Sequence, residues 1–190
     1  MTNRSPANVR PFAPTEAQRA ARAARDKVTS VEQLGQIVAR ARASGETVVL
    51  AHGVFDLVHM GHVRHLEAAR REGTMLIVTV TADAHVAKGE GRPVFTETLR
   101  AEALAALICV DLVAISPWPT AVEAIQLLRP DYYVKGQVGE EPTRRSVRLQ
   151  QEIATVRALG GDVRFTHEIV FSSTALLNAQ LPVPGDRAPA

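Results

Sequence analysis

From residue 47 onward, short apolar runs rich in β-branched residues alternate with longer stretches of helical period, and few architectures accept that pattern. The run TVVLAHG at 47–53 is short, apolar up to His52 and closed by a glycine, which suits a strand covered on both faces in a parallel sheet. A helix over 62–72 follows, stopped by Gly73, and TMLIVTV at 74–80 reads as the next strand. The same reading gives a helix over 96–108, a strand over 109–115 and a helix over 120–129 that Pro130 ends. A strand over 131–136, a long helix over 143–159 stopped by Gly160 and Gly161, and a strand over 162–167 complete the series. Before it, Val31, Leu34, Ile37 and Val38 recur at helical spacing, with Ser44 and Gly45 as the stop. The alternation predicts an α/β fold: a single-domain, three-layer Rossmann-like sandwich with a mainly parallel sheet, binding its ligands beyond the carboxyl ends of the strands.

The 190 residues are enough for one such domain, expected over 28–180, with a flexible basic tail over 1–27 and a second flexible tail over 181–190. Arg4, Arg10, Arg19, Arg22, Arg25 and Lys27 face only Glu16 and Asp26 in the first tail, so the formal net charge of +2 is concentrated there. A nucleic-acid partner would want basic residues spread over a folded face with aromatics between them, and only 4% of the chain is aromatic. No apolar run approaches the ~20 residues that span a bilayer, and no signal peptide opens the chain, so the expected setting is cytoplasmic, with neither membrane nor nucleic acid as partner. The lone Cys109, in ALAALICVDLVAI, reads as a small core residue.

The densest chemistry lies in VVLAHGVFDLVHMGHVRHLEAAR, residues 48–70. His59, Met60, Gly61 and His62 fall between the first long strand and its helix, where a helix start offers unpaired N–H groups and partial positive charge. Two imidazoles separated by Gly61 suit a triphosphate, because a glycine lets backbone come close to an anion, and Gly53 serves a similar approach one turn earlier. A zinc site would need further ligands, and neither a cysteine pair nor HExxH is present. His65, His85 and His167 read as packed or solvated, Thr120 as a helix cap, and Trp118 as a lining residue of an acceptor or subunit surface. Lys88 in KGEGRP and Lys135 with Gly136 at the end of DYYVKG are the lysines expected at the ligand edge, while Ser172, Ser173 and Thr174 suit a helix cap that also meets phosphate.

Together, GVFDLVHMGHVRHL (53–66), KGEGRPVFTETLRAEALAAL (88–107), RPDYYVKG (129–136) and EIVFSSTALLN (168–178) resemble the HxGH nucleotidylyltransferase superfamily over roughly residues 46–180. The likeness is greatest to the branch that nucleotidylates heptose 1-phosphate in ADP-heptose synthesis. The resemblance implies that His59 and His62 bind the triphosphate and stabilise charge at the α-phosphorus, and that Lys88 and Arg100 reach the nucleotide. Gly53, Phe55, Asp56, Gly61, Lys135, Gly136, Ser172, Ser173 and Thr174 then belong to the nucleotide site, with Asp56 helping to hold Mg²⁺. The chain departs from the family in reading Gln137-Val138-Gly139 after VKG, where relatives usually carry Asp-Tyr one residue on, and in His52, where many carry Asn.

The implied reaction joins a nucleoside monophosphate from ATP or CTP to a sugar phosphate and releases pyrophosphate. An acceptor such as glycerol 3-phosphate, a cofactor adenylyltransferase, or a nucleotide-binding regulatory module without turnover are the alternatives. A degenerate module would be expected to lose one of His59, Gly61, His62 or Lys88, and all are present. Relatives are frequently dimers, which makes a homodimer the expected assembly.

Overall fold

The computed structural model describes residues 24–137, 140–141 and 146–168. In chain order these form β1 (Val28–Thr29), α1 (Val31–Ala43), β2 (Val48–Gly53), α2 (Met60–Arg70), β3 (Met75–Thr81), a 3-10 turn (Asp83–His85) and α3 (Glu97–Ala105). Then come β4 (Leu112–Ser116), α4 (Val122–Leu128), β5 (Tyr132–Gly136), α5 (Val147–Ala158) and β6 (Asp162–Thr166). The strands form one six-stranded sheet in the order β1-β4-β3-β2-β5-β6, and every pairing is parallel.

Strand periodicity explains the layers. Val49 and Ala51 of β2 join Leu66 and Ala69 of α2 and Ala101 and Leu104 of α3 in one core. Their neighbours Val48 and Leu50 join Leu34 and Val38 of α1, Ile125 of α4 and Val156 of α5 in the other. Residues 48–51 are 0% exposed, which is why that run carries no alternation of polar residues. The expected α/β sandwich is therefore the observed one.

Element ends differ from the sequence reading where a distant side chain intervenes. The helix expected to reach 108 stops at Ala105, and the Lys27 ammonium donates to the carbonyls of Leu107 (3.2 Å) and Val110 (2.9 Å) just beyond it. The strand expected from 109 starts at Leu112; just before it, the Asp111 amide donates to the Leu76 carbonyl (2.9 Å) while the Asp111 carboxylate, in place of its carbonyl, accepts the Leu76 amide (2.7 Å). The short β1, paired with Val113 and Ala114, has too few residues to show a period. Cys109 is partly buried and packs against the first core, where burial raises its thiol.

Chain direction fixes where a ligand can enter. From β2 the sheet grows through β3 and β4 to one side, and β5 and β6 are added on the other. The crevice between the carboxyl ends of β2 and β5 is thus the switch point at which open α/β sheets take their ligands.

Candidate functional site

The turn leaving β2 is built by three unusual positions. A Cβ on Gly53 would lie 3.2 Å from the Phe55 ring, and Phe55 itself has φ 49°, a left-handed conformation that costs a non-glycine residue energy and concentrates at functional sites. Burial of Phe55 holds it there: its ring is 7% exposed and meets the edge of His62 at a centroid distance of 5.2 Å. The reversed turn sends Asp56 inward, to 0% exposure.

His59 then caps α2, its ring Nδ1 accepting the His62 amide at 3.4 Å. The two imidazoles stack with centroids 3.9 Å apart and planes 17° from parallel. Nδ1 of His62 is buried with no partner of good hydrogen-bond geometry among the described residues. Burial lowers His62 to about 4, helped by His59, His65 and Lys88 and opposed by the Leu57 backbone. Burial lowers His59 too. The pair is therefore neutral at pH 7, stacked at the positive end of a helix, with Gly61 buried between its members. Such rings offer N–H donors to an anion without repelling one another.

Cationic side chains converge on the same turn. Arg92 donates from Nε to Asp56 Oδ2 at 2.5 Å and forms an ion pair with it through Nη2, while the Val94 amide donates to Oδ1 at 2.7 Å. Arg100 is 1% exposed; it donates to the carbonyls of Phe95 (3.0 Å), Thr81 (2.8 Å) and Val54, and pairs with Asp83 at 2.6 Å. Lys88 is exposed beside them; partial burial, Arg92 and Arg100 lower its ammonium against the pull of Asp56.

Across the crevice, Lys135 closes β5. Its ammonium pairs with Glu152 at 3.3 Å and approaches the His52 carbonyl at 3.5 Å. Glu152, 2% exposed on α5, also accepts from the Tyr133 hydroxyl at 2.9 Å, and burial with this carboxylate pushes that phenol well up. A Cβ on Gly136 would meet open space. Below the crevice, His52 sits between the hydroxyls of Thr79 (2.9 Å) and Thr81 (3.3 Å), lowered to about 3 by burial, Lys135 and Arg148. His65 lies 2.6 Å from Thr166 Oγ1 and is lowered to about 4 by burial and Lys135.

The fold thus gathers Gly53, Phe55, Asp56, His59, Gly61, His62 and Lys88 on one side of the crevice and Lys135 and Gly136 on the other. Ser172, Ser173 and Thr174 lie outside the described residues. Two of these residues have partners that bear on their expected roles. Arg100 is enclosed by its own loop partners, so it faces protein rather than the crevice. Asp56 does not fit a metal ligand, since both its oxygens are engaged by Arg92 and Val94, and the described residues hold no group of three His, Cys, Asp or Glu side chains able to bind a metal. Sequence reasoning passed over Arg92, whose signal is an arginine in the same polar loop as Lys88. It also passed over Glu152, whose signal is an acidic residue beside Ile153 on the buried stripe of α5.

Comparison with known proteins matches residues 50–178 to a family model described as cytidylyltransferase-like. The bifunctional protein HldE of Syntrophotalea carbinolica is 43% identical over 112 residues, covering 58% of this chain and 23% of that protein. The bifunctional protein HldE of Koribacter versatilis is 38% identical over 157 residues, covering 81% of this chain and 31% of that protein. The chain therefore spans less than a third of the length of these curated relatives. A lipopolysaccharide core biosynthesis protein from Thermoplasma volcanium shares the fold with a TM-score of 0.53 and 24% identity, covering 67% of this chain and 100% of that one.

Proposed function

This chain belongs to the cytidylyltransferase-like family, and from that premise we propose that it is a nucleotidyltransferase. It moves AMP or CMP from ATP or CTP to a sugar phosphate, with heptose 1-phosphate as the leading acceptor, and releases pyrophosphate. The observation that carries the reading is the stacked, neutral His59–His62 pair capping α2 at the switch point of a parallel sheet. The acceptor choice rests on the resemblance of the four sequence segments and on the HldE relatives.

An oxygen of the acceptor phosphate attacks the α-phosphorus. The bond from that phosphorus to the β-phosphate bridging oxygen breaks, and its electron pair leaves with pyrophosphate. No covalent enzyme nucleophile is needed. The chain has to align two anions and meet the charge that builds up on the phosphoryl oxygens, which is work for preorganised donors. His59 and His62 supply N–H donors at the helix start, Lys88 supplies charge from the facing loop, and Lys135 neutralises phosphate from across the crevice. Mg²⁺ enters this reading as a cation carried by the triphosphate oxygens, a usual mode for that ion. The setting is the cytoplasm, and among the described residues no helix is long and apolar enough to cross a membrane.

The test is direct: incubate the full chain with each nucleoside triphosphate, Mg²⁺ and a panel of sugar phosphates and alcohol phosphates, and follow pyrophosphate. Release that depends on a sugar 1-phosphate supports the proposal. Turnover with glycerol 3-phosphate alone would move the chain to the alcohol-phosphate enzymes. Tight nucleotide binding with no turnover on any acceptor would make it a regulatory module.

A further inference from the structure

Asp56 has the position expected of a metal ligand and the surroundings of something else. It is 0% exposed, with Arg92 on Oδ2 and the Val94 amide on Oδ1. A Mg²⁺ ion needs near-octahedral oxygens and keeps several waters, and a cation taking this carboxylate would strip a guanidinium, itself only 11% exposed, of its counter-charge. The pair instead spans two segments. Asp56 stands three residues before His59 in the turn after β2, while Arg92 and Val94 stand four and six residues beyond Lys88 in the segment leading to α3. Arg100 joins the same two segments from beneath, through the carbonyls of Val54 and Phe95, and anchors both to the end of β3 through Thr81 and Asp83.

We propose that Asp56 and Arg92 are positioning residues whose ion pair fixes the 86–96 segment, and Lys88 with it, against the imidazole pair, and that Asp56 is not a ligand for Mg²⁺. The functional consequence rests on the transferase reading above; the structural part stands without it. A buried charge-assisted hydrogen bond between two loops sets their spacing more tightly than apolar contact does, since it has a direction as well as a length. Lys88 is exposed in the loop that this pair, above the Arg100 anchor, ties to the turn bearing His59 and His62.

The test measures amide hydrogen exchange and Mn²⁺ binding by electron paramagnetic resonance on the nucleotide-free full chain, with Asp56→Asn, Arg92→Gln and the double variant. Each single variant is expected to speed exchange across 86–96 by roughly ten- to a hundredfold. The double variant should add little, because both changes remove one contact, and α5 amides should keep wild-type protection. Arg92→Lys, which keeps the charge but loses the fork, replaces any variant that does not fold. Mn²⁺ binding should not differ between wild type and Asp56→Asn. Unchanged exchange over 86–96 in the single variants would overturn the proposal, as would wild-type Mn²⁺ binding abolished by Asp56→Asn. Failure of the transferase reading is distinct, because it appears as no pyrophosphate with any acceptor whatever the exchange result.

Discussion

Acid should destabilise this fold early, through three histidines. His52, His62 and His65 are held neutral, at about 3, 4 and 4, each chiefly by burial. Their folded values lie below the unfolded value of 6.5. The unfolded chain therefore binds the extra protons, and stability is full above about pH 6.5 and lost as pH falls toward the folded values. At pH 5 each histidine costs roughly 2 kcal/mol relative to neutral pH, and the three together roughly 6 kcal/mol. A domain of this size has about 5–15 kcal/mol in total, so the loss decides whether the chain stays folded at pH 5. Urea unfolding followed by Trp118 fluorescence at pH 8, 7, 6 and 5 measures it directly. Stability should fall by less than about 1 kcal/mol from pH 8 to 7 and by roughly 3–4 kcal/mol from pH 6 to 5. His52→Gln, which can still bond Thr79 and Thr81 but takes no proton, should remove about a third of the lower slope. A urea midpoint constant from pH 7 to pH 5, or a slope that His52→Gln leaves untouched, refutes the reasoning.

His62→Ala and His59→Ala should each lower the rate of pyrophosphate release by ~10²–10³ or more, with folding preserved by circular dichroism, and near-normal turnover would contradict the roles given to them. Arg100→Ala should lower unfolding free energy by roughly 3 kcal/mol or more, because the carbonyls of Val54, Phe95 and Thr81 lose their donor, and Arg100→Lys should restore less than half of it. A phosphate anion beside His62 favours its charged form, so the thermal shift given by saturating nucleotide should be larger at pH 6 than at pH 8, with an equal shift counting against contact between that ring and phosphate.

What the sequence discloses is whatever leaves a local pattern. The run at 47–53 announces a strand because burial on both faces removes polar residues from consecutive positions, and the observed β2 spans Val48–Gly53. The HMGH turn announces itself because two imidazoles and a glycine fall between a strand signal and a helix signal. What escapes are partnerships between residues far apart in the chain. Lys27 holds the turn after α3 from 80 residues away, and nothing around Leu107 foretells it. Asp56 is paired with a residue 36 positions on, so its local context suggests a free carboxylate while its actual neighbours are Arg92 and Val94. Arg100 is expected at the nucleotide, yet four acceptors from three other segments surround it and bury it. Glu152 escapes as well, because Tyr133 and Lys135, which meet on one oxygen of its carboxylate, stand on β5 rather than on its own helix.

Burial and the cationic neighbourhood both favour neutral histidines here. Two charged imidazoles 3.9 Å apart would repel by about 4 kcal/mol at an effective dielectric constant near 20. Stacking at that distance therefore requires that at least one ring be uncharged, and burial together with the positive end of α2 secures it. The cationic side chains around the turn are Arg92 and Arg100, each paired with a carboxylate, and Lys88 at the rim. Paired guanidinium groups hold loops in place and spend little of their field on the crevice. The imidazoles are left as the groups whose charge can change when a polyanion arrives. Positioning and response to charge thus fall to different residues, and only the second set had to be written next to each other in the chain.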